Sequence, residues 1–161
     1  MSRALAPSSK QSGEDVEHQV VERVDGLDPV GERDAGHDAV AARPLGPAEI
    51  PLASTPLVLA GRPVEIKAAQ TRLASGERGR FYIRRGQHEA LVAGGGYYLA
   101  AVYAPTRPDH EVRGLVACPA TIVDELLPAW RTHGGDRPGE AYTQLAWSNV
   151  VDPADVAEGR R

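Results

Sequence analysis

Val16, Val20, Val21 and Val24 recur at helical spacing over residues 14–25 and predict an amphipathic helix. Ser12 or Gly13 stands where a cap belongs, acids fill the first turn, and Gly26 ends the run. The apolar runs then shorten. HDAVA at 37–41 reads as a brief strand. Pro44, Pro47, Pro51 and Pro56 exclude a regular helix or central strand over 43–56, leaving room for a short edge strand at 50–53. Residues 57–69 predict a β-hairpin: Leu57 to Leu59 on one arm, Ala60-Gly61-Arg62 in the turn, Pro63 to Ala69 on the other. RFYIR at 80–84 is another strand. A short helix at 86–94, with Ala90 and Leu91 inward, is stopped by Gly94-Gly95-Gly96. The continuous apolar run at 97–105 fits a strand buried on both faces. Then come a strand at 111–119, a short helix capped by Thr121 and ended by Pro128, and a last strand at 142–151. This order predicts an α/β (α+β) domain with a mixed sheet flanked by helices. One domain over 14–151 is expected, with flexible tails at 1–13 and 152–161.

Composition narrows the class. The chain has 161 residues, 42% hydrophobic and 25% charged, which excludes fibrous and wholly disordered chains. No apolar run is long enough to cross a membrane, and the first ten residues lack the apolar stretch of a secretory signal. A single cysteine, Cys118, excludes an intrachain disulfide and a Cys-rich zinc site. A cytoplasmic protein with no membrane partner is expected. The net charge of −4 argues against a globally basic nucleic-acid binder. The cations are nonetheless unevenly chosen: of 18, only Lys10 and Lys67 are lysine. A lysine in so arginine-rich a chain draws attention, because an ammonium is a point charge that a guanidinium does not replace.

Lys67 lies in Pro63-Val64-Glu65-Ile66-Lys67. On a strand, Glu65 and Lys67 share one face while Val64, Ile66 and Ala68 face the core. A carboxylate beside an ammonium at the end of an apolar strand can bind a hard cation and hold an attacking water. Mg²⁺ takes one or two carboxylates, so a second acid is needed. Asp38 is the candidate, with Glu49 the fallback. The competing interpretation is an ordinary exposed Glu–Lys pair on a half-buried strand. Arg72, Arg78, Arg80, Arg84 and Arg85, opposed only by Glu77, make a local basic stripe. Such a stripe suits phosphate oxygens, or is simply a solvated edge.

VEIKAAQTR (64–72) and GRFYIRRGQHEALVAGGGYYLAAVY (79–103) carry a resemblance to the PD-(D/E)xK nuclease superfamily. It extends over roughly residues 14–105. The shared order is a helix, a strand bearing an acid, an E-x-K arm, a further strand, a helix and an apolar strand. Within that superfamily the chain is similar to archaeal Holliday-junction resolvases and small restriction-type enzymes. The resemblance implies a restriction-endonuclease-like fold and Mg²⁺-dependent (or Mn²⁺-dependent) hydrolysis of DNA. It implies Asp38 and Glu65 as metal ligands, the Ile66 carbonyl as a further ligand, and Lys67 as the residue that positions the water. Glu17 or Glu14 would supply a helix acid, and Gln87, with His88 beside it, would assist from the next helix. A homodimer is implied as well. The proline-rich insertion after Asp38 departs from the family pattern.

The expectation is therefore a small Mg²⁺-dependent DNA endonuclease. A branched-DNA resolvase, a catalytically inactive nucleic-acid-binding domain of this fold, and a partner-binding domain are the rivals. Other residues read as structural: Cys118 buried, Trp130, Trp147 and Tyr142 as core or interface anchors, Tyr82 in the core or half-buried.

Overall fold

The computed structural model describes residues 9–30, 37–46, 58–104, 110–133 and 141–156. Helix α1 (Ser9–Arg23) is followed by strands β1 (Leu27–Pro29), β2 (Ala39–Ala41), β3 (Pro63–Gln70) and β4 (Arg80–Arg84). Helix α2 (Arg85–Ala93), strands β5 (Tyr97–Ala104) and β6 (Glu111–Pro119), helix α3 (Ala120–Leu126) and strand β7 (Tyr142–Ala146) complete the order. The five-stranded sheet runs β1-β2-β3-β5-β6, and β4 and β7 form a separate antiparallel ribbon. Only β3 and β5 are parallel; β4 and α2 make the crossover between them. This is the expected mixed sheet flanked by helices, an α+β restriction-endonuclease-like fold.

Strand alternation distributes the core over two layers. Leu99, Ala101 and Tyr103 of β5 meet Val16, Val20 and Val24 of α1 on one face. Tyr98, Ala100 and Val102 meet Leu91 of α2, Val123 of α3, and Phe81, Ile83 and Leu145 of the ribbon on the other. A strand packed on both sides has no polar face to keep, hence the unbroken apolar run at 97–104.

Several expected boundaries move. Helix α1 begins at Ser9, so Ser12 and Gly13 lie inside it and not at its cap. The valine stripe marks where the helix meets the sheet, not where it starts. Strand β1 was not anticipated. The hairpin is corrected too: Val58 bridges to Leu45 and not to β3, whose strand partners are β2 and β5. The edge strand at 50–53 and Glu49 lie outside the described residues. In α2 the inward residues are His88 and Leu91, while Ala90 is exposed. Thr121 lies within α3, whose N-cap is Pro119. The last strand stops at Ala146 and a 3₁₀ turn follows at Trp147–Asn149. Beyond residue 151, Val156 is buried against the ribbon side of the sheet, so this part of the expected tail is packed.

The link from β3 to β4 is tight. The Gly79 N–H donates to the Gln70 carbonyl at 3.0 Å. A Cβ at position 79 would collide with that carbonyl oxygen and lie 2.8 Å from the Gln70 nitrogen. Overpacking against backbone costs about 1–3 kcal/mol. Gly79→Ala should lower stability by that amount in urea unfolding, and β4 should shift with it.

Candidate active site

The site is built where β2 runs out. Strand β2 pairs with β3 only through Ala39↔Val64 and Val40↔Pro63, so among the described residues β3 from Glu65 onward has no strand on that side. The Asp38 side chain replaces the missing partner: its Oδ2 accepts the Ile66 backbone N–H at 2.8 Å. A buried N–H left without an acceptor costs roughly 1–3 kcal/mol. Asp38 is thereby fixed by backbone geometry beside the Glu65-Ile66-Lys67 triplet.

Glu65 and Lys67 share a face, as alternation requires, with Lys67 Nζ 3.7 Å from Glu65 Oε2. The exposed surface pair is not what forms, because Glu65 is only 5% exposed. Burial foremost, then a hydrogen bond with Asp38, pushes the Glu65 carboxyl up to about 9. The charges of Asp38 and Glu17 push the same way, and the Lys67 ammonium opposes them. Glu17, from the middle of α1, joins the group. Its pKa is raised to about 7 by burial, then by the Asp38 charge and Glu14, against the pull of Lys67. Asp38, Glu65, Glu17 and Lys67 therefore form one electrostatic unit in which acids outnumber the cation.

A cleft of about 510 Å³ opens beside this unit and is lined by its Glu17 and Lys67, with Asp38 and Glu65 outside the lining. Glu14 and Glu17 form one wall, Arg80, Tyr82 and Arg84 of β4 the other, and Lys67 and Ala68 the floor. The alternation of β4 explains the second wall: Phe81 and Ile83 are buried, while Arg80, Tyr82 and Arg84 face out. Tyr82, expected in the core or half-buried, is exposed and lines the cleft; the signal was the RFYIR alternation itself.

The other arginines of the stripe are engaged elsewhere. Arg72 Nη1 donates to the Gly76 carbonyl at 3.1 Å. Arg78 lies over the Trp147 ring, and Arg85 pairs with Glu89 and lies over Trp130. Gln87 is exposed on α2 and does not line the cleft. His88 is buried and bridges two elements: Nδ1 is 2.8 Å from the Tyr98 hydroxyl and Nε2 is 2.8 Å from Asp124 Oδ1 of α3. Tyr98 was missed in the sequence. It is paired in register with Glu65 on the parallel neighbour strand, and no sequence pattern announces parallel register. Burial, then the charges of Glu65 and Asp124, raise its hydroxyl pKa. His88 thus holds Tyr98, and with it the ground beside Glu65, from behind.

Among the described residues no group of three or more His, Cys, Asp or Glu is close enough to hold a metal ion. The donor set present is two carboxylates, Asp38 and Glu65, with the Ile66 carbonyl between them in sequence. All are hard oxygens, and Mg²⁺ takes one or two carboxylates and fills its remaining positions with water and substrate oxygens. Burial foremost, then Asp38, disfavours the charged Glu65 carboxyl, and a cation held by the two acids would offset that cost. The residues fit a hard divalent ion.

A family model described as a PD-(D/E)XK nuclease superfamily domain matches residues 3–152. No curated protein and no solved structure gives a significant match. Members of this superfamily are generally nucleases and usually use divalent metals. Glu65-Ile66-Lys67 is the E-x-K triplet in that name, and with nearly the whole chain covered by the model, this protein belongs to the PD-(D/E)XK nuclease superfamily.

Proposed function

We propose that the chain is a Mg²⁺-dependent endonuclease that hydrolyses phosphodiester bonds in DNA, with Asp38, Glu65 and Lys67 as its working residues. One observation carries this reading: buried Glu65 and half-buried Asp38 stand together beside Lys67, which lines an open cleft. Asp38, Glu65 and the Ile66 carbonyl would hold the ion, and Glu17 would add negative charge from α1 without reaching it. The ion, when bound, supplies Lewis-acid charge to the phosphate. Lys67, an ammonium with donors only, orients the attacking water for in-line approach to phosphorus and stabilises the charge that grows there. Arg80 and Arg84 hold flanking phosphates from the opposite wall. Tyr98 and His88 keep Glu65 in register.

The arrangement works as one domain reaching from α1 to Val156. A two-fold homodimer would supply one site for each strand of a duplex, and the solution mass checks that assignment. No helix among the described residues is long and apolar enough to cross a membrane. A cytoplasmic location belongs to the same proposal.

The test is cleavage of supercoiled plasmid, linear duplex and a four-way junction in Mg²⁺ or Mn²⁺. The wild type should cut at least one, chelation should stop it, and Asp38→Asn should slow it by about 10²-fold or more. Cleavage of the junction alone would make the enzyme a resolvase. A folded wild type that cuts none of the substrates would overturn the assignment.

A further inference from the structure

The outer face of the β4–β7 ribbon carries a second groove, about 260 Å³, next to the catalytic cleft. Arg80, Arg131, Tyr142, Gln144 and Asn149 contribute to its lining, and no acid does. Arg80 lines both the groove and the cleft, so the two surfaces are continuous. The register explains the continuity. Arg80 lies opposite Ala146, Tyr82 opposite Gln144, and Arg84 opposite Tyr142. Arg131 bridges to Tyr142 on the far side of β7, with backbone hydrogen bonds of 2.7 and 2.8 Å. The exposed surface is therefore three chain segments wide, with an arginine on each outer segment.

The cations on this face are clustered, and some of those elsewhere are neutralised. Arg43, Arg85 and Arg113 each pair with a carboxylate. Among the described residues, Arg80, Arg84 and Arg131 have no carboxylate partner. In a chain of net charge −4, three arginines gathered on one face without a carboxylate among the described residues repel one another and suit an anionic ligand. The aromatic residues make the surface stiff. Tyr82 stacks on Tyr142 at 5.0 Å and 10°, and His133 stacks on Tyr142 at 4.6 Å and 16°. The Arg84 guanidinium lies over Tyr82 at 6.0 Å. Stacking holds the fork of Arg84 in place without neutralising it.

We infer that this ribbon face is a phosphate track, which holds the nucleic-acid strand running away from the scissile phosphate. Arg80 is the shared contact at the cleft mouth, and Arg131 is the far contact. The inference rests on the nuclease assignment and adds the direction in which substrate leaves the site. The groove recognises backbone, so it takes any sequence.

Arg131 and Gln144 are both exposed and lie outside the catalytic cleft. The test measures fluorescence anisotropy of a labelled DNA duplex and of its single strand, in chelator, across a salt series. Arg131→Ala should weaken binding about 3–10-fold, equally for unrelated sequences, and should lower the salt slope by about 0.7–0.9 for the one lost phosphate contact. Gln144→Glu, which adds a carboxylate in mid-groove, should weaken it by a similar factor. Arg131→Lys should restore most of the slope. A wild type that binds and cuts DNA, with folded Arg131→Ala and Gln144→Glu variants that match it in affinity and slope, would overturn the track and leave the nuclease standing. A wild type that neither binds nor cuts would overturn both.

Discussion

Lys67→Ala should reduce phosphodiester cleavage by about 10²–10³-fold while the protein stays folded. The size follows from position. Lys67 is the one cation within the acidic unit, 3.7 Å from Glu65, and it lies in the floor of the cleft where a phosphate must approach. Without it, the water loses its donor and the developing charge loses a counterion. The fold has little to lose. The Lys67 side chain keeps partial contact with solvent, and in metal-free protein the acids it faces can retain protons when it is gone. Lys67→Arg should not restore the rate, because a planar fork places its charge differently from a single ammonium. The measurement is single-turnover cleavage beside a thermal melt of each variant. Unaltered cleavage by folded Lys67→Ala would remove Lys67 from the mechanism.

The second large effect concerns stability. In chelator, the melting temperature should fall as pH rises from the ordinary carboxylate range towards 9. The sign follows from proton counts. Glu65 in the folded protein titrates near 9 and Glu17 near 7, both above the ordinary 4.5, so the folded state holds protons that the unfolded chain has already released. Stability is full below the unfolded value and is lost as pH climbs through the folded ones. For Glu65 alone the slope is on the order of 1 kcal/mol per pH unit, or about 2–4 °C at this chain length. Mg²⁺ should reverse the trend, since an ion that binds the charged carboxylates stabilises most where the bare acids destabilise most. Glu65→Gln should flatten the pH dependence and remove most of the Mg²⁺ effect. Differential scanning calorimetry from pH 5 to 9 reads both; a melting temperature that rises with pH in chelator would contradict the buried acid unit.

Much of this site was legible before the fold. Period-two alternation put Glu65 and Lys67 on one face, and the two-lysine composition singled Lys67 out. The strands at 80–84 and 111–119 and the glycine stop at 94–96 depend on local rules and fell where they should. What was hidden is non-local. Nothing local to residues 57–59 reveals that Val58 pairs with Leu45, or that β3 takes β2 and β5 as its partners. His88 lies beside Gln87 in sequence, yet it faces the core to meet Tyr98 and Asp124, partners 10 and 36 residues away. The basic stripe also resolved only in three dimensions, because strand alternation sends Arg80 and Arg84 to the cleft while Arg72, Arg78 and Arg85 are used by loop and ring contacts.

The early end of β2 has a consequence for self-association. A central strand deserted by its neighbour is a template on which a foreign strand can grow, and such edges seed aggregates unless something charged interrupts them. Here Asp38 occupies the first vacant donor at Ile66, and an ammonium follows one residue later. The groups that would cut a phosphodiester are thus also the gatekeepers of the edge. Substitutions that silence the enzyme by making residues 38, 65 and 67 apolar would remove both protections together. Soluble inactive forms are better made with polar isosteres than with alanine or leucine.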